Sequence, residues 1–239
     1  DLAGNDRQVQ DNIAIGRNSL NSTSDNAQTG TIAIGKDALT ALTSGAGNTA
    51  IGYLAMATST VNHSNVAIGY AAMRYSNGNE SQNVAIGYEA GTSMDNNDSS
   101  KSILIGYRAG KGGTGEIDRC VVIGDGAMDG TGAVGAQQNI FIGNDAGGGT
   151  WTTAASNSNV AIGATAMADA LNGALGNTAL GHDTLKALTS GDYNVAVGYS
   201  ALDAGTTVNN SVAIGANAMG GVPSGQAVEY AVAVGTNAL

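Results

Sequence analysis

The sequence predicts an all-β chain wound as a parallel β-solenoid of about 13 coils. Three observations carry this. Thirteen short segments align on a shared glycine, in coils centred on Gly16, Gly35, Gly52, Gly69, Gly87, Gly106, Gly124, Gly143, Gly163, Gly181, Gly198, Gly215 and Gly235. Their spacing is always 17 to 20 residues, the mark of a repeat that cannot bury its apolar face alone and stacks on its neighbours. The residues before each glycine alternate with the period of a strand. The array fills residues 1–239 as a single repeat domain, read as an excerpt of a longer fibre.

Each coil opens on its strand. Immediately before the glycine stand Ile15, Ile34, Ile51, Ile68, Ile86, Ile105, Ile123, Ile142, Ile162, Leu180, Val197, Ile214 and Val234. Three before it stands Ile or Val, except for Thr49 and Thr178. These two columns share one strand face. The column between them faces the other way and is Ala, apart from Leu104, Val122 and Phe141. A β-branched strand apolar on both faces is buried on both. The Ile/Leu/Val column is therefore structural core or oligomer face.

The glycine serves a positive φ or a close backbone approach, and either turns the chain out of the strand. Three residues later comes Ala, or Ser19 and Thr184. The next column is Leu or Met, replaced by Gly at Gly91, Gly110 and Gly147, and reads as a second apolar anchor. The remaining Asn, Ser, Thr, Gly and Asp form turns that absorb the variation in coil length. Asn precedes the strand at Asn12, Asn48, Asn65, Asn83, Asn139, Asn159, Asn177 and Asn194, a pattern suited to a hydrogen-bonded ladder along the solenoid. Cys120 falls in that column as a small turn residue.

Composition narrows the function. A net charge of −10, without a Lys/Arg cluster, disfavours nucleic acid and anionic bilayers. No apolar run approaches the length of a membrane span, so no direct membrane insertion is expected. With 37 Gly, one Pro and 4% aromatic residues, the chain is neither collagen nor an ordinary globule with an aromatic core. Burying one strand face would leave the other apolar face in water. A narrow roll could take alanine inside and set Ile/Val against identical chains, or the faces could be reversed; both arrangements need a partner.

The columns, as in Ser211-Val-Ala-Ile-Gly-Ala-Asn-Ala218, resemble the head repeat of the trimeric autotransporter adhesins. Longer coils such as Asn65-Val-Ala-Ile-Gly-Tyr-Ala-Ala-Met73 also resemble repeat arrays of phage tail-fibre-like proteins. The resemblance implies left-handed parallel β-rolls assembled as an intertwined or side-by-side homotrimer. It further implies an extracellular place, on a bacterial cell surface or a virion fibre, and a part in adhesion or virulence. Coils of about 18 residues are longer than the commonest coil of those heads. Hexapeptide β-helices, which are often acyltransferases, need an aliphatic every sixth residue, but Arg74 and Glu80 stand six and twelve after Ile68. Leucine-rich and calcium-binding nonapeptide repeats fail on their own columns.

Catalytic and cofactor candidates are lacking: neither His63 nor His182 has a nucleophile and acid patterned around it, so no enzyme and no cofactor are expected. Asp95 and Asp98, in a polar loop, are the weak metal candidates, and Asp125 and Asp129, which flank Gly-Ala-Met, stand no better. Tyr53, Tyr70, Tyr88 and Tyr107 follow the glycine in four consecutive coils. Stacked at about 4.8 Å per coil, they form either a receptor-contact stripe for sugar or protein, or a ladder packed against a neighbouring chain. The expected function is a non-enzymatic attachment-fibre segment displaying surface to a host protein, matrix or glycan. The alternative is a structural shaft of a phage tail fibre whose binding tip lies elsewhere.

Overall fold

A computed structural model describes residues 9–22, 28–94 and 99–239. The chain is an all-β parallel β-solenoid of about 12 turns, with no helix among the described residues. It divides into two compact units, Asp1–Arg119 and Cys120–Leu239. In the first, β1 (Val9–Gln10) pairs with β3 (Gln28–Thr29), and β9 (Ile117–Asp118) closes the unit. Its main sheet runs β2 (Ile13–Ile15), β4 (Ile32–Ile34), β5 (Thr49–Ile51), β6 (Val66–Ile68), β7 (Val84–Ile86) and β8 (Ile103–Ile105). In the second, the sheet runs β10 (Val121–Ile123), β12 (Ile140–Ile142), β13 (Val160–Ile162), β14 (Thr178–Leu180), β15 (Val195–Val197), β16 (Val212–Ile214) and β17 (Val232–Val234), with β11 at Ala136–Gln137.

Pairing is parallel and in register, like on like: Ala67 opposite Ala85, Ile68 opposite Ile86, Ala179 opposite Ala196. Register decides the faces, since a one-residue slip would exchange them. The middle column points into the coil and is buried from Ala33 onward. Alanine suits that position because the return path of the same coil passes close behind it. The Leu/Met column faces it: Leu39, Met56, Met73, Met128, Met167 and Leu185 are fully buried.

Interior volume is traded within two of the coils. Where the inward strand residue is Leu104 or Phe141, the anchor column of the same coil is glycine, whereas Val122 keeps Met128 as its anchor. A methyl group on Gly110 would stand 2.6 Å from the Leu104 side chain, and one on Gly147 would stand 2.9 Å from the Phe141 ring. Phe141 also meets the buried Trp151 edge-on at 6.0 Å. Gly147→Met alone should destabilise the second unit by about 1–3 kcal/mol through overpacking. Paired with Phe141→Ala, it recreates the ordinary coil and should recover much of that loss in a thermal melt. Backbone strain does not interfere, because Met128 and Met167 occupy the same column at φ 47° and 53°.

The corners are left-handed in the Ramachandran sense. Each coil places the second and fourth residues after the strand glycine at positive φ, as at Ala71 (52°) and Met73 (48°). For non-glycine residues this conformation costs roughly 1–2 kcal/mol each. Burial of the Leu or Met side chain and a backbone bond to the next coil, such as Met73 N–H to Ala90 O at 2.9 Å, offset it.

The asparagine column is a buried ladder. Asn177 Oδ1 accepts from Asn194 N–H at 2.9 Å, and its Nδ2 donates to Gly191 O at 2.8 Å. The same two bonds recur at Asn65, to Asn83 N–H and Glu80 O. Each side chain thus satisfies one donor and one acceptor of the next turn, which would otherwise be orphaned inside. Cys120, in this column, is buried and its thiol donates to Ala136 O at 3.2 Å. Asn177→Ala strands both backbone groups and should cost about 2–5 kcal/mol, read as a lowered denaturation midpoint.

Candidate functional site

Two ladders reach the outside, and both begin at the inner strand. The first is the aliphatic face. None of the thirteen residues immediately before the strand glycine is buried, from Ile15 to Val234, and neither are their partners three before the glycine. Of the two orientations the sequence leaves open for this column, the structure has the outward one. The coil's own core is instead the alanine column and the Leu/Met column. Within each unit this outward row of Ile, Val and Leu, interrupted by Thr49 in the first and Thr178 in the second, carries no charge and is an apolar surface of the kind that marks an interaction site.

The second ladder lies at the corner just after the strand. Tyr53, Tyr70, Tyr88 and Tyr107 stack face to face, with successive centroids 5.3, 4.9 and 5.3 Å apart and interplanar angles of 26°, 6° and 12°. The Lys36 ammonium stands 5.1 Å over the Tyr53 ring and caps that end. The rings cover one another's flat faces, so the interior members Tyr70 and Tyr88 offer edges and hydroxyls rather than a platform for sugar stacking. Desolvation inside the stack pushes the Tyr88 phenol up, and the Glu89 carboxylate and flanking phenols add to it. Glu89 in turn meets Lys111 at 3.2 Å and Arg108 at 3.8 Å.

Among the described residues the remaining candidates do not assemble into a reaction centre. His63 lies at the surface and its Nδ1 accepts from Ala46 N–H at 3.2 Å. His182 stacks on Tyr199 with centroids 5.5 Å apart, and its Nδ1 lies 2.8 Å from Asp183. Asp95 and Asp98 lie outside the described residues. Asp125 is exposed and Asp129 half-buried. Among the described residues no group of three His, Cys, Asp or Glu could hold a metal ion, and no helix is long and apolar enough to cross a membrane.

Sequence reasoning missed the charge partition. Over Asp1–Arg119 the chain carries 8 basic and 11 acidic residues, but over Cys120–Leu239 only Lys186 against 8 acidic ones. Lys186 is held 3.0 Å from Asp183, and that contact, with Asp169 and Asp203 nearby, raises its pKa. The Thr165 hydroxyl, at 2.7 Å, leads Lys186 and His182 in holding the Asp183 carboxyl below its ordinary 3.8, against desolvation. A lowered folded pKa stabilises the fold above the unfolded value, and that stability is lost as pH falls through the folded one. Melting temperature should therefore drop below about pH 4 with a contribution from Asp183, and Asp183→Asn should flatten that part of the acid limb.

Comparison with protein-family models and with curated proteins returns no match for this chain.

Proposed function

We propose that this chain is a segment of a non-enzymatic extracellular attachment fibre. In this reading its copies associate lengthwise as a homotrimer through the outward Ile/Val columns and display their polar corner loops to a host protein, matrix or glycan. The observation that supports it is the two-column aliphatic face on an otherwise polar, net-negative surface. Left in water, each exposed branched side chain forgoes about 1.5–3 kcal/mol of burial, and the loss repeats with every coil. Self-association removes it, and the uncharged columns let copies of a −10 chain approach there without local repulsion. Threefold symmetry, left-handed winding and a bacterial surface location come from the resemblance to adhesin heads, and a virion location from the resemblance to phage tail-fibre-like arrays.

The shaft reading, a phage tail-fibre spacer with its tip elsewhere, has one observation in its favour. The corner geometry and the asparagine ladder recur along the chain, which suits an element defined by length. Light scattering of the purified segment should give three times 23.5 kDa, and a monomer refutes the assembly. Binding of the segment to host cells or glycan arrays supports attachment. Function preserved after deletion of whole coils favours the shaft.

A further inference from the structure

A seam built only from the Ile/Val columns has a defect. Nearly every coil presents the same pair of side chains, so two copies shifted by one coil, about 4.8 Å, keep almost all their contacts. Repetitive strands specify register weakly unless something aperiodic breaks the degeneracy. The tyrosine block is aperiodic: of the thirteen coils, four consecutive ones carry Tyr53, Tyr70, Tyr88 and Tyr107 after the glycine, and Tyr199 stands apart.

The block also adjoins the seam. Ile51, Ile68, Ile86, Ile105 and Val197, each two residues before a tyrosine, are half-buried. Ile162 and Ile214, followed instead by Ala164 and Ala216, are 37% and 41% exposed, whereas Ile34, Ile123 and Ile142, followed by Lys36, Asp125 and Asn144, are half-buried as well. Set two residues beyond the outward column, the rings border the aliphatic face and continue it round the corner. With their flat faces spent on one another, they present a row of edges and hydroxyls once per coil. Only a partner repeating at the same spacing gains from every member of such a row, and a parallel copy of this chain does so by construction. Charge does not oppose it: Lys36 lies 3.5 Å from Asp37 and offsets it, while Glu89, with Lys111 at 3.2 Å and Arg108 at 3.8 Å, leaves one positive charge beside the block. The acidic repulsion between copies of a −10 chain is therefore not concentrated there.

We propose that Tyr53, Tyr70, Tyr88 and Tyr107 form the rim of the seam between copies of this chain and lock their axial register. The proposal rests on the assembly reading above. Each ladder lies edge-on against the neighbouring copy, and a slip of one coil uncovers one ring at each end of the block.

The test is acetylation of the full chain with N-acetylimidazole, mapped by peptide mass, on material whose mass has first been measured by light scattering. Tyr75 is the internal reference, since its 42% exposure within the single chain matches the 38% to 50% of the four. In the oligomer the four should react at least fivefold more slowly than Tyr75, and in an Ile68→Asp chain reduced to monomer the difference should vanish. An intact oligomer in which the four react as fast as Tyr75 overturns the rim while leaving the assembly standing. Protection that appears only on adding a soluble glycan or matrix protein also overturns it and makes the ladder a receptor stripe. A monomeric wild-type mass sinks the assembly and the rim together. Replacing all four tyrosines by alanine should turn a single mass into a broad distribution of staggered species, and an unchanged single mass overturns the register role.

Discussion

Ile68→Asp should reduce the assembly to single chains of 23.5 kDa while leaving each coil wound. Ile68 is the last residue of β6 and points away from the coil's interior, so an aspartate there meets water in the isolated chain and costs the fold little. In an assembled seam the same carboxylate is repeated in every copy, close to its equivalents and without cations to pair with. Desolvation of each such charge costs several kcal/mol, enough to undo an association of ordinary strength. Light scattering reads the mass and circular dichroism the retained strand content. Ala67→Asp is the opposite case, since Ala67 points inward and is fully buried. There the charge enters the narrow interior of the coil, and the expected result is loss of the β signal rather than a clean monomer. An oligomer that survives Ile68→Asp would mean that the copies do not meet at this face.

Gly69→Ala should destabilise the fold by about 3 kcal/mol or more. The residue sits at φ 136°, where an L side chain is strained, and its added Cβ would stand 2.7 Å from the Gly87 carbonyl carbon and nearer still to the oxygen. That neighbour is backbone, so the clash is relieved only by separating adjacent turns. Gly30→Ala is the control: its φ of 64° carries strain, but nothing lies within 4 Å of a Cβ there. Its cost should stay near 1 kcal/mol, and equal melting shifts for the two variants would show that close approach between turns is not what the strand glycine provides.

Much of this was legible in the sequence. Thirteen glycines at near-constant spacing point to the parallel solenoid, and at those from Gly16 to Gly87 and from Gly124 to Gly215 the structure sets both reasons in one place, a positive φ and a neighbouring backbone. The asparagine column read as a ladder, and the buried bonds of Asn65 and Asn177 are that ladder. The four tyrosines read as a stripe, and they stack. What stayed hidden was orientation. Alternation shows that two columns share a face but not which face is inside, because Ala and Ile are both apolar. The alanine column faces inward because the Leu/Met anchors of the return path leave little room behind the strand; Val122 is accommodated beside Met128, but the larger Leu104 and Phe141 stand where Gly110 and Gly147 make way.

The left-handed corners were equally invisible, since Leu39, Met56 and Met73 are residues that ordinarily avoid positive φ. They adopt it because each anchor is drawn into the coil while its backbone bonds the next turn, a gain that exists only once the turns are stacked. The sequence by itself determined the repeat, its strand and its period, because these follow from local side-chain alternation and glycine spacing. Only the tertiary structure decided which face is core and which is outward, because that depends on how much space one turn leaves behind another.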